Sequence, residues 1–148
     1  MDRSVFKFRD QPVVIKRSKL PTPIISYIEA EKKWRLEEAY AYISGDHQIS
    51  VPSKFKFDLA SVPRIFWCLI APFELSIAAP LIHDFLYDYR GDPPAGSIEP
   101  PTIFNRRDSD SIFREIMQKE GVAGWRRFCA YWAVRGFGWI PWIFGVKP

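Results

Sequence analysis

The chain has 148 residues, with 21 Lys or Arg against 17 Asp or Glu, and its formal net charge is +4. This length corresponds to one domain, and a hydrophobic fraction of 47% beside a charged fraction of 26% excludes a chain too polar to fold. The two cysteines lack C-x-x-C and C-x-x-H spacings, so neither a disulfide framework nor a cysteine-based zinc site is expected. The first residues lack the apolar stretch of a secretory signal, which predicts synthesis in the cytoplasm.

The charge is distributed unevenly along the chain. Residues 1–33 and 119–148 each carry a net charge of +4, whereas residues 34–118 carry −4. A nucleic-acid surface would place Lys and Arg in a stripe with aromatic residues between them, so a nucleic-acid partner is not expected. The pattern fits either an acidic or metal-binding site whose periphery meets something anionic, or a surface charge that is merely uneven.

The N-terminal half predicts strands. Residues 1–30 are interrupted by prolines, which favours an extended arm with at most an edge strand. Residues 34–43 are rich in aromatics and are followed by turn-forming residues at 44–47, and residues 48–57 then alternate apolar with polar side chains. This order predicts two strands of a hairpin.

The C-terminal half predicts helices. Residues 58–76 are expected to form a turn and a short buried helix between prolines. Helices are then expected over about 77–89, from Asn105 or Asp108 to about Glu120, and over about 123–137. Gly121 supplies the end of the second of these helices.

These elements predict an α+β fold. A β-hairpin or small antiparallel sheet precedes three helices in a single domain. We expect the arm to cover residues 1–30, the domain residues 31–138, and an aromatic tail residues 139–148.

The predicted helix at 77–89 carries the sequence HDFLYD, which places polar groups in an apolar setting. His83 and Tyr87 are four residues apart and therefore share a helix face. Asp84 lies about 100° further round the helix. Since Leu81, Ile82, Phe85 and Leu86 surround it in the sequence, His83 is expected to be partly buried or to line a cleft.

Asp110 is the second unusual residue, because it stands at the N-terminal end of an apolar helix seam. If the two helices pack as antiparallel neighbours, Asp110 reaches one nitrogen of His83 and leaves the other to take a proton from water. Asp84 would then be placed to hold a hard cation. The alternative is structural: His83 is a packing residue and Asp110 caps its own helix.

The amino-acid sequence of the chain resembles one family closely. The segments VPSKFKFDLASVPRIFWCLIAP, AAPLIHDFLYD, NRRDSDSIFREIM and AYWAVRGFGW are similar to the bacterial and phage family called domain of unknown function 1353, over most of residues 34–138. The resemblance implies a phage or prophage setting, with the protein in the host cytoplasm during synthesis and then, for a structural component, in the phage particle. The resemblance does not imply a particular chemical reaction.

The segment HDFLY also resembles the H-D-x-x-Y helix motif of phospholipase A2, and Ser109-Asp110 falls about where the parvoviral form has an Ala-Asp pair. The resemblance implies His83 as general base, Tyr87 as a hydrogen-bonding support, Asp110 as the partner of His83, and Asp84 as a calcium ligand. Phospholipases of this type also bind calcium through a glycine-rich loop upstream of the histidine. This chain has no glycine between Asp46 and Arg90, and Asp58 is the acidic residue that could substitute.

Residues 128–146 are apolar for nearly the length of a membrane span. Arg135, two glycines and Pro141 interrupt the run, so a transmembrane helix is not expected. Three interpretations stay open: a core helix with an aromatic tail, a segment at a lipid surface, or a contact with other phage structural proteins.

Two functions follow from these observations. The first is a metal-assisted ester or lipid hydrolase, with His83, Asp110 and Tyr87 as the catalytic group, Asp84 and Asp58 as metal ligands, and calcium as the metal. The alternative is a non-enzymatic tail-associated or capsid-associated phage component. In that case the aromatic C-terminus docks on a neighbouring subunit.

Overall fold

A computed structural model describes residues 20–57 and 77–144 of the chain. Most of the predicted N-terminal arm, the predicted turn and short helix at 58–76, and the end of the aromatic tail lie outside the described residues. Asp58, the predicted second metal ligand, also lies outside them.

The described residues form two small antiparallel sheets of three strands each, with five strands from the first half of the chain and a sixth from residues 98–99. In the first sheet the spatial order is β1-β2-β5, and in the second it is β3-β4-β6. The strands are β1 (Ile25–Ile28), β2 (Lys33–Leu36), β3 (Tyr40–Ser44), β4 (His47–Val51), β5 (Lys56–Phe57) and β6 (Ile98–Glu99).

The predicted turn at 44–47 joins β3 and β4 in a hairpin. Ser44 pairs with His47 and Tyr40 with Val51, and Gly45 adopts a φ of 57° at the turn, a conformation that glycine adopts without strain. Tyr42 pairs with Ile49, and both side chains are buried, as the alternation of apolar residues predicts.

The predicted single strand at 34–43 is in fact two strands that belong to different sheets. The chain bends between Leu36 and Tyr40, where the backbone N–H of Glu37 donates to the carbonyl of Ile24. The Glu37 carboxylate also accepts hydrogen bonds from Ser26 and Arg35. These contacts with β1 and β2 hold the bend. The sequence alone did not indicate which residues would form hydrogen bonds with Glu37.

Apart from β6, the second half is helical, and its first three helices follow the prediction within one or two residues. The helices are α1 (Ala78–Asp88), α2 (Arg106–Lys119), α3 (Gly124–Phe137) and α4 (Trp139–Phe144). A capping box begins α2, because Asn105 accepts from the Asp108 backbone and the Asp108 carboxylate accepts from the Asn105 backbone. Gly121, with a φ of 76°, follows its end. The short α4 was not predicted, since residues 139–148 were expected only to form an aromatic tail.

The core extends from the two sheets through α1 to α2 and α3. The side chains of Leu81, Ile82, Phe85 and Leu86 on α1 are fully buried. α1 packs against α2, and α2 packs against α3. The fold is therefore α+β, as predicted, and the packing of α1 on α2 sets the polar residues of these two helices against each other.

Within the described ranges, no helix is both long enough and apolar enough to cross a membrane.

Candidate functional site

The site is centred on a contact between α1 and α2. Nε2 of His83 lies 2.9 Å from Oδ1 of Asp110, and the two residues are only 7% and 0% exposed. Asp110 does not cap its helix, because Asn105 performs that role. The structure thus brings together the two residues that the sequence placed at facing positions of separate helices.

Asp110 accepts hydrogen bonds from three side chains on two other helices. Besides His83, the Tyr87 hydroxyl donates to Oδ1 over 2.5 Å, and Arg135 on α3 donates to Oδ2 over 2.9 Å. Arg106, one helical turn before Asp110, lies 3.9 Å from Oδ2. We call His83, Tyr87, Asp110 and Arg135 the buried network.

Arg135 is the member that the sequence analysis missed. It appeared there as an interruption of an apolar run, whereas the structure uses it to neutralise a buried carboxylate. A basic residue in the last turn of a helix is favoured by the helix dipole in any case, so the position of Arg135 in α3 did not by itself indicate its partner.

The electrostatics of the pair favour an ionised Asp110. Burial alone would lower the pKa of His83, but the hydrogen bond to Asp110 and the nearby carboxylate of Asp84 outweigh it, so the pKa is raised above 6.5. Burial alone would raise the pKa of Asp110, and its hydrogen bonds with His83 and Tyr87 outweigh this and lower the pKa. Burial and the same carboxylate raise the pKa of Tyr87, so the phenol stays protonated and remains a donor.

The second nitrogen of His83 faces an acidic side of α1. Nδ1 lies 3.9 Å from a carboxylate oxygen of Asp84, whose side chain is 15% exposed. This separation is longer than a direct hydrogen bond. Asp88 follows one turn later, and burial together with the charge of Asp84 raises its pKa to about 6.

Aromatic rings enclose the network. The His83 ring lies 4.0 Å from the Tyr87 ring and 4.8 Å from the Phe113 ring. Trp142 on α4 contacts Tyr87 edge to face at 5.1 Å, and Arg90 donates to the backbone carbonyl of Ile143. The first residues of the predicted tail therefore form a helix that packs on the site.

Close packing at Gly138 is part of this arrangement. A Cβ atom at this position would lie 2.5 Å from the Tyr87 hydroxyl and 2.3 Å from the carbonyl oxygen of Val134. Only a residue without a side chain lets the chain pass between α3 and α4 so close to Tyr87.

The described residues do not assemble a metal site. Within 20–57 and 77–144, no three His, Cys, Asp or Glu side chains are grouped closely enough to hold an ion. Of the two predicted ligands, Asp84 lies beside His83, and Asp58 lies outside the described residues.

The other histidine, His47, begins β4 of the second sheet. It is half-buried, with Nε2 2.8 Å from the hydroxyl of Thr102 and its ring against Phe104.

Comparison with known proteins identifies the family. The model of a family described as a protein of unknown function (DUF1353) matches residues 34–134, which is more than half of the chain. The chain therefore belongs to this family, as the resemblance of its sequence segments indicated. The matched residues include all of α1 and α2, and so His83, Tyr87 and Asp110.

One relative is the uncharacterized protein y4jT of Sinorhizobium fredii (strain NBRC 101917 / NGR234), which is 31% identical over 90 residues. The similarity covers 60% of this chain and 23% of the relative, so the chain spans about a quarter of that protein's length. No solved structure matches the chain.

Proposed function

We propose that the protein hydrolyses esters and that the His83 imidazole is the general base. The observation that carries the proposal is the different setting of the two ring nitrogens. Nε2 lies 2.9 Å from Asp110 and Nδ1 lies 3.9 Å from Asp84. An ionised Asp110 makes Nε2 the protonated nitrogen, which leaves the lone pair of Nδ1 for the proton of a water molecule.

In the proposed reaction, Nδ1 of His83 takes a proton from water while the water oxygen attacks the ester carbonyl carbon. The bond from that carbon to the alcohol oxygen then breaks, and the imidazolium returns the proton to the departing alcohol. Asp110 stabilises the imidazolium between the two steps. Tyr87 and Arg135 are positioning residues, because they hold the Asp110 carboxylate against the ring.

The resemblance of HDFLY to the phospholipase A2 helix motif supports a lipid ester as the substrate. A calcium ion beside Asp84 would polarise the ester carbonyl, but calcium takes six to eight oxygen ligands, and the described residues supply no group of three acidic or histidine ligands. The donor set in the described residues thus falls short of a calcium site. The proposed reaction is derived from His83 and water alone.

A second candidate is a non-enzymatic component of a phage particle, as the phage setting of the resemblance suggested. The observation that favours it is the complete burial of Asp110, together with the absence of unpartnered buried polar side-chain atoms among the described residues. A hydrogen-bond network of this kind can fix the packing of three helices without doing chemistry.

The two candidates are separated by an activity assay with a matched control. Wild type, His83→Gln and His47→Gln are assayed on a water-soluble short-chain ester and on phospholipid vesicles, each with calcium and with a chelator. We expect activity in wild type and in His47→Gln, and a loss of at least about a hundredfold in His83→Gln. Circular dichroism and thermal unfolding of all three show that the variants are folded.

Equal activity in His83→Gln and wild type would remove His83 as the base. Folded wild-type protein that hydrolyses neither substrate under either condition would favour the second candidate. Activity that depends on calcium and is lost in Asp84→Asn would add the metal to the site.

A further inference from the structure

We infer that α3 and α4 present a face that binds an anionic lipid surface. Seven large apolar side chains on these helices are 45% to 62% exposed. We call five of them the aromatic face: Trp125, Phe128 and Trp132 on α3, with Trp139 and Ile143 on α4.

These five residues form one stripe because the two helices are nearly continuous. The backbone N–H of Gly138 donates to Val134 over 2.8 Å, and that of Trp142 donates to Gly138 over 3.1 Å. Both bonds have the four-residue spacing of an α-helix. One side of these two nearly continuous helices therefore carries positions 125, 128, 132, 139 and 143, because residues spaced as i, i+3 and i+7 share a helix face.

The distribution of side chains on α3 is the reverse of an ordinary core helix. Ala130 and Ala133 are 0% and 4% exposed and face the domain, whereas Trp125 and Trp132 are 55% and 56% exposed. Large apolar residues usually occupy the buried side. Phe128 packs on the exposed Trp132 ring at a centroid distance of 6.2 Å, so part of its apolar contact is made outside the core.

A stripe of five exposed apolar side chains indicates an interaction site. The charges near the stripe indicate the chemical class of the partner. Residues 121–144 contain Arg126, Arg127 and Arg135 and no acidic residue. Arg135 is paired with Asp110, and Arg127 donates to the backbone carbonyl of Val122. Arg126 and Arg127 directly follow Trp125 and add two positive charges to this part of α3. The Arg126 guanidinium carbon lies 5.0 Å from the centre of the Trp125 ring.

Trp and Arg together settle at the headgroup layer of a bilayer, where the rings enter the acyl boundary and the cations meet phosphate. Anionic lipid complements these arginines. A second copy of the chain fits less well, because a two-fold contact through this stripe would bring arginines toward their own symmetry mates. This inference does not rest on ester hydrolysis at His83 and stands if that activity is absent.

The test is co-sedimentation of the full chain with vesicles. One set contains phosphatidylcholine alone, and the other contains phosphatidylcholine with an equal part of phosphatidylglycerol. We expect binding to the anionic vesicles at least about tenfold tighter than to the neutral ones, and weaker binding as salt is raised. The double variant Trp125→Ser with Trp132→Ser should lower binding to anionic vesicles by at least about tenfold.

The matched control is Ile103→Ser, because Ile103 is 70% exposed but lies outside α3 and α4, and its binding should equal that of wild type. Arg126→Gln should reduce binding to anionic vesicles more than to neutral ones. Size-exclusion chromatography with light scattering is run on the same proteins without lipid.

Three results would overturn the inference. They are no binding of wild type to either vesicle, unchanged binding in the double tryptophan variant, and self-association without lipid that the double variant abolishes. The last result would assign the aromatic face to a second copy of the chain.

Discussion

Nε2 of His83 lies 2.9 Å from Oδ1 of Asp110 across 27 residues of sequence, and Arg135 joins the same carboxylate from a third helix. A fully buried carboxylate is costly unless it is paired and hydrogen-bonded. The contact therefore ties α1, α2 and α3 together, whether or not His83 acts on a substrate.

Removing Arg135 should destabilise the fold. In Arg135→Met the buried Asp110 loses its closest arginine, and Arg106 at 3.9 Å compensates in part. We expect the free energy of unfolding, measured by urea denaturation, to fall by about 2–4 kcal/mol. Arg107→Met is the control, because Arg107 lies on the exposed side of α2, and it should change stability by less than about 0.5 kcal/mol. Equal stability of both variants would contradict the role of Arg135.

The pKa of His83 should be measurably high. Nuclear magnetic resonance titration of the imidazole should give a pKa above 6.5 in wild type, because Asp110 and Asp84 outweigh burial. Asp84→Asn should lower this pKa, since it removes one of the two carboxylates. A pKa in wild type at or below the ordinary histidine value would be incompatible with the ionised pair.

This raised pKa fixes the sign of a stability effect. The stabilisation from protonated His83 is fully present below the unfolded pKa of about 6.5 and is lost as the pH rises through the folded value. His83→Gln should therefore cost more stability at about pH 6 than at about pH 9. Urea denaturation of both proteins at the two pH values checks this, and a cost that grows with pH would reverse the assignment.

The ionisation of Asp88 should destabilise the fold, whereas the ionisation of an ordinary paired acid stabilises it. Burial and the charge of Asp84 raise its pKa to about 6, so its ionisation destabilises the fold as the pH rises from the unfolded value of about 4. Asp88→Asn should raise the free energy of unfolding by about 1 kcal/mol at neutral pH, a figure reduced for partial exposure of the side chain. Below about pH 4 the two proteins should be equally stable, and a constant difference at every pH would argue against this explanation.

Gly138 and Gly136 should respond oppositely to alanine. A Cβ at Gly138 would meet the Tyr87 hydroxyl and the Val134 carbonyl, whereas a Cβ at Gly136 has nothing within 4 Å. Gly138→Ala should cost about 1–3 kcal/mol, and Gly136→Ala within α3 should stabilise by about 0.5–1 kcal/mol. Thermal unfolding of both variants measures the difference.

Part of the Gly138→Ala cost should be relieved when Tyr87→Phe is added, because the hydroxyl is one of the two clashing groups. A double variant without any relief would place the whole cost on the backbone of Val134.

The sequence predicted those features that depend on near neighbours in the chain. Apolar spacing and the Asn105 and Gly121 signals located α2, and the turn at Gly45 located the β3–β4 hairpin. The bend after Leu36 was not predicted, since it depends on the contacts of Glu37 with β1 and β2, whose position is set by the fold.

The sequence by itself determined an α+β chain with His83 and Tyr87 on one helix face and a carboxylate at 110 on another helix. The tertiary structure alone decided that Arg135 completes the pairing of that carboxylate, that α4 packs on Tyr87, and that α3 turns its tryptophans outward. The reason is physical: helical periodicity says which residues share a face. Which face another helix covers depends on how all the helices pack together.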